Sequence, residues 1–469
     1  MNMESMINRM CDEIKQNMNA FCENRDFKRL TPETSEEMSV AISGALCAGG
    51  VAGFRAFIEM YEHDESTYVH AGQLLRFKET HEKNFLTPFG KMTLPRRVYQ
   101  ADRGGKTYVP LDAAWGMENE FATVEVREAV LYSSGLVTPM ETETILKKCA
   151  LFHPASATIK RIVNKMGDWV EANAKTVREH MRSNAAIPED TCVLVASLDG
   201  ANVPLREAGV KRGRPGERPG KQENTSQRTC YKNAMVGSIS FMGDAPEDDN
   251  SPARLASRYI ARMPEDRAPT FKKAFEAELD HAESMLSDDI TKVVVCDGAR
   301  GLWTYIEDNE HFDGYEKILD YFHALEHLSA LAEALFGKQS NDGSVWYNRY
   351  KEKLLHEDLA PQAILRSADY YLERNTLNKT ARVDAERERT FFARNKHRMT
   401  YADFRRRNLP IGSGIVEAAC KSIVKSRMCR SGMRWTRKGG QHILHLRAHI
   451  KSRQWDSFWD AYKQLKKAG

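Results

Sequence analysis

Three carboxylates stand in settings suited to metal-assisted phosphate chemistry. Asp199 lies near the end of the apolar run "TCVLVASLDG", Asp297 closes "TKVVVCDG", and Glu417 begins a helix after a Gly-Ser-Gly turn in "NLPIGSGIVEAACKSIVKSRM". They are separated by 98 and 120 residues. Singly, each has an ordinary explanation, since Asp-Gly is a common turn and Glu417 can pair with Lys421 one helical turn on. Together, beside basic stretches suited to phosphate backbones, they form the hard-oxygen donor set that Mg²⁺ prefers. A pair of such ions can clamp the attacking and leaving oxygens of an in-line displacement, with one Asp bridging them.

"DYFHALEH", from Asp320 to His327, offers a different chemistry. His323-x-x-Glu326-His327 matches the H-x-x-E-H signature of a class of zinc peptidases, in which two ring ligands lie one turn apart and the Glu acts as base. The same letters contain Asp320-x-x-His323. The peptidase reading leaves both Asp-Gly strand ends without a role and needs a third ligand, such as Glu333 or a more distant Glu. The D-x-x-H reading is therefore preferred, with Glu326 and His327 on a surface helix beside the site.

Composition limits the scaffold. The chain has 469 residues, 41% hydrophobic and 29% charged, which is enough for two to four domains with at least one large core. The net charge is only +4, yet Ala418–Trp455 holds ten Lys or Arg, three His and no Asp or Glu. A stretch of one sign points to a polyanionic partner. The nine cysteines form no C-x-x-C pair, which fits a reducing compartment and argues against a disulfide framework. Met1 to Lys15 has no apolar run, so no secretory leader is expected. Met38 to Phe54 is uncharged for 17 residues and contains Gly49-x-x-x-Gly53; flanked by Glu37 and Arg55, it reads as a tightly packed helix of a soluble protein.

Residues 1–88 read as helical, serving assembly or DNA binding. A small β-rich segment follows at 89–115, with "MTLPRRVY" and "KTYVPLD" paired across "DRGGK". Residues 116–188 return to helix; Ile159, Ile162, Val163, Met166 and Val170 form an apolar face that fits either an amphipathic helix or the second helix of a helix-turn-helix. From 189 to 304, apolar strands deliver acids to a sheet edge, as in α/β folds. A Gly-, Pro- and Arg-rich loop near 206–228 carries Arg212, Arg214 and Arg218. Residues 305–408 read as helical and end in Arg405, Arg406 and Arg407. The Glu417 helix occupies 409–440, with Val416, Ala419, Cys420 and Ile423 on its buried face. Residues 441–469 form a basic helical end, where His442, His445 and His449 serve phosphate contact or packing rather than zinc.

"SLDGANV", "VVVCDGARGLW", "DYFHALEHL" and "NLPIGSGIVEAACKSIVKSRM" resemble, in order, motifs of bacterial insertion-sequence transposases of the Mutator-like branch. The resemblance covers roughly residues 90–450. It implies an α/β RNase H-like catalytic core with a large all-helical insertion, between helical N- and C-terminal regions. By position, Asp199, Asp297 and Glu417 would be the metal-binding catalytic triad, holding two Mg²⁺ ions (or Mn²⁺ in vitro), and Asp320 and His323 the supporting D-x-x-H pair. Related transposases often carry cysteines before a segment like "VPLD"; this chain has none there, which puts a zinc ribbon near 95–115 in doubt. The implied activity is hydrolysis at element ends, then transfer of the 3′-hydroxyl into target DNA. The partners would be terminal inverted repeats, target DNA and further copies of the chain, in a bacterial cytoplasm at the nucleoid, with no membrane. Arg212, Arg214, Arg218, Arg405, Arg406, Arg407, Lys421, Lys425, Arg427, Arg430 and Arg434 are the expected DNA contacts. Trp303 and Trp435 are either base-stacking or core residues. The alternatives are the zinc metallopeptidase and a DNA-binding descendant of a transposase without catalysis.

Overall fold

A computed structural model describes residues 3–468 apart from 24, 26–28, 103, 151, 184, 207–230 and 247–250. The chain divides into two compact units, Met1–Ala172 with Trp459–Gly469, and Asn173–Phe458.

The first unit begins with two helices, Met3–Cys22 and Pro32–Glu59. Pro32 at the first turn and a reciprocal Thr31–Thr34 capping box start the second helix. That helix is long and apolar enough to cross a membrane by length and composition. Gly49 and Gly53 instead admit its partner: a Cβ on Gly49 would stand 2.4 Å from Ile14 Cγ1, and one on Gly53 3.2 Å from Met10.

An antiparallel sheet follows, with β1 Thr67–His70, β2 Gln73–Thr87 and β3 Gly90–Gln100 in that order. The expectation of helix through residue 88 is therefore wrong beyond Glu59. Residues 76–82 of β2 are all exposed, so neither face imposes the two-residue period that marks a strand. The expected pairing of "MTLPRRVY" with "KTYVPLD" also fails. β3 pairs with β2 through a hairpin closed at Thr87 and Gly90, only the Tyr99–Tyr108 bridge joins the other segment, and Pro110–Ala114 is helical. This sheet forms without cysteines. Its core is Phe85, Met92, Leu94, Leu111 and Met117, and the buried Asp112 receives Arg96 at 2.6 Å and Lys83 at 3.0 Å. Helices Val124–Leu136, Pro139–Cys149 and Ser156–Ala172 follow, the last burying Ile159, Ile162, Val163, Met166 and Val170 as its periodicity predicts.

The second unit is built on five strands: β4 Val193–Pro204, β5 Tyr231–Gly243, β6 Ala253–Arg262, β7 Thr291–Cys296 and β8 Glu316–Leu319. Their order is β6-β5-β4-β7-β8; β5 runs antiparallel to β4 and β6, while β4, β7 and β8 are mutually parallel. Two strands were not foreseen. β6 is an edge strand with few buried positions, and β8 is four residues long and falls within the segment read as helical from 305. The all-helical insertion instead begins at Tyr321, with helices Tyr321–Phe336, Asn341–His356, Ala360–Arg374, Lys379–Asn395 and Tyr401–Arg406. Two hydrophobic clusters meet along β4. Val193–Leu198 packs with β7, β8 and the insertion, whereas Ala201, Val203 and Leu205 pack with residues 416–428.

Gly49→Leu should wedge the first two helices apart and cost about 1–3 kcal/mol, the usual range for overpacking. A thermal melt that matches the parent protein would show that the two helices do not depend on this contact.

Candidate active site

β4 and β7 pair in parallel from Val193–Thr291 to Ala196–Val294, a constant offset of 98 residues. Carried three residues further, to the residue just past the end of β7, the same offset sets Asp199 level with Asp297. Asp199 does not end its strand, as the sequence suggested, because β4 continues to Pro204 against β5 after β7 has stopped. It lies at the seam between the two hydrophobic clusters, following Leu198 of one and preceding Ala201 of the other. Asp297 caps its own turn, accepting the Ala299 N–H at 3.0 Å, and its carbonyl accepts the buried Trp303 indole N–H at 2.6 Å. Trp303 is thus a core residue that positions the Asp297 turn.

Residues 414–428 pack on β4 through Val416, Ala419, Cys420, Ile423, Val424 and Met428, and leave Glu417 exposed. Glu417 accepts from Ser413 Oγ at 3.4 Å and pairs with Lys421 at 3.9 Å. Burial pushes the Asp199 carboxyl above its ordinary range, and the Asp297 charge pushes the same way. The Gly200 N–H, the Cys420 thiol and Lys425 pull it down. The Cys296 thiol, raised chiefly by burial, also feels Asp297, Asp199 and Asp320. The same electrostatics link Asp199 to Asp297, Cys420 and Lys425, and link Cys420 to Glu417. Among the described residues, however, no three His, Cys, Asp or Glu stand close enough together to hold an ion.

Asp320 and His323 are not a side-chain pair. Asp320 is 1% exposed and caps the Tyr321–Phe336 helix, with Oδ1 accepting the His323 backbone N–H at 2.7 Å. Oδ2 accepts the Ser413 N–H, four residues before Glu417. The Asp320 N–H donates to Cys296 O at 2.8 Å, and the Tyr321 N–H to Ile411 O at 2.9 Å. One residue therefore joins the end of β7, a helix start and the approach to Glu417.

The His323 ring lies beside the Asp297 turn. A Cβ on Gly298 would come within 3.0 Å of His323 Nε2 and 2.5 Å of the Phe391 ring, so only glycine fits there without a shift. Nε2 of His323 stands 3.3 Å from Nε2 of His327, whose Nδ1 contacts Glu388 at 2.5 Å. His327 also stacks on Phe391 at 3.5 Å. Glu388 is 3% exposed. His327 is thus locked into the base of the insertion and is not a bystander on a surface helix. The partner that locks it lies 61 residues away, beyond the reach of any local motif. The H-x-x-E-H pair acquires no third donor among the described residues, and Glu326 instead approaches His323 Nδ1 at 3.3 Å.

The expected cationic contacts divide. Lys421, Lys425, Arg430 and Arg434 are exposed on or just beyond the Glu417 helix. Arg427 is 1% exposed, with its guanidinium 5.2 Å from the Trp435 ring; it is a core residue and offers nothing to a phosphate. Trp435 is fixed as well, its indole N–H bonded to Met428 O at 2.9 Å. Arg405 donates to Leu355 O, Arg406 pairs with Asp358, and Arg407 pairs with Glu316 at the start of β8, the end away from the acids. Arg212, Arg214 and Arg218 lie outside the described residues. His442 is buried, and His449 stacks on Phe458 at 4.4 Å while burial pulls its ring down to about 3, so both serve packing.

Two substitutions test this geometry. The folded protein raises the Asp199 pKa above its unfolded value, so the ionised carboxylate opposes folding at neutral pH. Asp199→Asn should raise the Tm by a few degrees at pH 7–8, and the gain should shrink as pH falls through the folded pKa toward the ordinary Asp range. A gain independent of pH would contradict it. Asp320→Asn leaves one amide N–H donor facing another and should cost about 1–3 kcal/mol, read as a lower midpoint in urea; an unchanged midpoint would remove Asp320 from its bridging role.

No protein-family model matches the chain, and no curated protein matches it. Among solved structures it is similar to the Drosophila P element transposase strand transfer complex, with 12% identity over 76% of this chain and 83% of that chain and a TM-score of 0.26.

Proposed function

We propose that this chain is a DNA transposase with an RNase H-like core, which hydrolyses phosphodiesters at element ends and joins the freed 3′-hydroxyl to target DNA. The observation that carries the reading is the register of β4 and β7, which sets Asp199 on β4 level with Asp297 just past the end of β7, with the Glu417 helix packed on β4. The mixed five-stranded sheet, with β5 antiparallel to β4 and β6 and with β4, β7 and β8 parallel, supports that reading. The four ordered motifs of the sequence support the same reading.

The donor chemistry suits Mg²⁺, which would have to draw Asp199, Asp297 and Glu417 closer together than they stand here. Asp199, Asp297 and Glu417 offer only carboxylate oxygens, and the two aspartates repel each other in a partly desolvated place that a divalent cation would relieve. When bound there, Mg²⁺ would supply charge neutralisation at the scissile phosphate and a nucleophile of lowered pKa. The exposed Glu417–Lys421 pair, of a kind worth about 0–1 kcal/mol, is no obstacle to that exchange. The chain's own residues orient the DNA. Lys421, Lys425, Arg430 and Arg434 present positive charge along one helix and its extension, where they hold the backbone beside the acids. Trp303 keeps the Asp297 turn from moving, and Asp320 fixes the segment leading to Glu417. Two element ends must be handled together, so assembly of two or more copies on DNA belongs to this reading.

In a plasmid assay with Mg²⁺ and the gene with its native flanks, the protein should nick and join DNA at the element ends. Asp297→Ala should lose both steps while binding DNA nearly as before. Lys425→Ala with Arg430→Ala should weaken binding across sequences and reduce the salt slope by about 2, one for each phosphate that these two side chains neutralise. Binding with no cleavage by the unaltered chain would leave a DNA-binding protein without catalysis as the better reading.

A further inference from the structure

The helix bearing Glu417 is not regular. Gly414–Ala419 is α-helical, Cys420–Lys425 winds as a π-helix, and Ser426–Met428 returns to α. The change shows in one hydrogen bond, in which the Ser426 N–H reaches back five residues to Lys421 O. In an α-helix it would bond Ser422 O, four residues back. The turn therefore holds one extra residue, and the Ser422 carbonyl loses its usual amide donor.

Two side-chain donors take over. Ser426 Oγ donates to Ser422 O at 2.8 Å, and Arg447 Nη2 donates to the same oxygen. Arg447 also donates from Nε to Ile423 O at 2.6 Å and from Nη2 to Ser426 Oγ at 2.9 Å. It comes from the Arg437–Lys451 helix and is 4% exposed. A fully buried guanidinium directed at backbone carbonyls is costly to desolvate, so its place here calls for a structural reason.

Helical phase supplies one. In an unbroken α-helix Lys425 would lie about 80° around the axis from Glu417, eight residues back at 100° each. The extra residue absorbs about 100° of that rotation and leaves the two nearly in line. This agrees with the site, where Lys425 acts on Asp199 and both Asp199 and Glu417 act on the intervening Cys420.

We propose that Arg447 is a positioning residue of the acidic site: it holds the extra residue in the 414–428 helix and so keeps Glu417 and Lys425 on a single stripe of that helix, on either side of Cys420. Its effect on DNA joining rests on the transposase reading; its effect on the helix does not.

The test uses the full chain with three changes. Arg447→Met should lower the Tm and reduce end joining about 100-fold, as expected when a catalytic group is displaced by about 1 Å. Arg447→Lys, with one ammonium for two carbonyls, should fall between it and the parent. Deleting Ser422 in the Arg447→Met background removes the extra residue, gives a regular α-helix with both flanks in their original phase, and leaves no carbonyl in need of Arg447. That double variant should recover both Tm and joining to within several-fold of the parent. Arg447→Met joining at the parent rate, or a deletion that recovers neither quantity, would overturn the proposal. Recovery of Tm without recovery of joining would show that Arg447 only stabilises the helix, which also overturns the positioning role. If the parent joins no DNA, the transposase reading fails by itself, while the Tm series still decides whether Arg447 holds the extra residue.

Discussion

The arrangement of the acids depends on the buried carboxylate of Asp320. A carboxylate with 1% exposure is tolerable only when each oxygen is satisfied, and here the donors are backbone amides from two distant parts of the chain. The His323 amide belongs to a helix start, where the helix dipole adds to the attraction. The Ser413 amide belongs to the turn that launches Glu417. With its own N–H on Cys296 O, the residue next to Asp297, Asp320 sets how far apart two of the three candidate ligands can be. It is a better explanation of the D-x-x-H letters than a pair of interacting side chains, since the side chain of one residue meets the backbone of the other.

A second layer of support comes from the helical insertion, which thereby becomes part of the site. Phe391 fills the space that Gly298 leaves open, and Arg398 lies 4.0 Å from the Trp303 ring, whose indole holds the Asp297 carbonyl. Glu388 fixes His327, and His327 meets His323 beside the same turn. Each contact restricts the loop after β7. A carboxylate on a two-residue turn would otherwise be free to swing, and positional freedom of that kind is what a phosphate-transfer site must suppress.

What the sequence made legible follows the range of each interaction. Asp199 and Asp297 stood out because each follows an apolar strand, while the register that relates them came only with the β4–β7 ladder. The Glu417 helix could be read from its turn and from Val416, Ala419, Cys420 and Ile423. β8 could not, since four residues carry no period, and β2 could not, since its middle faces solvent on both sides. Arg427 was misassigned because a basic stretch suggests a surface, whereas its guanidinium lies under Trp435. The His327–Glu388 contact and the Arg447 contacts with the π-turn link residues 61 and more than 20 positions apart, and no pattern within either segment signals them.

The Asp320–Ser413 bond also closes a loop of 93 residues. The entropy of closing a loop grows only with the logarithm of its length, so that doubling it costs about 0.6 kcal/mol. Growth or shrinkage of the enclosed chain therefore changes this closure term little, provided that the clamp and the struts near its base survive. Glu388, Phe391 and Arg398 are such struts, whereas the Asn341–His356 and Ala360–Arg374 helices contribute none of the contacts around the Asp297 turn described above. The outer helices nonetheless bury Trp346, Tyr350, Leu354, Ile364 and Ala368 in the core cluster that holds β4 and β7, so what limits change in this lobe is the apolar surface it buries rather than the entropy of closing it.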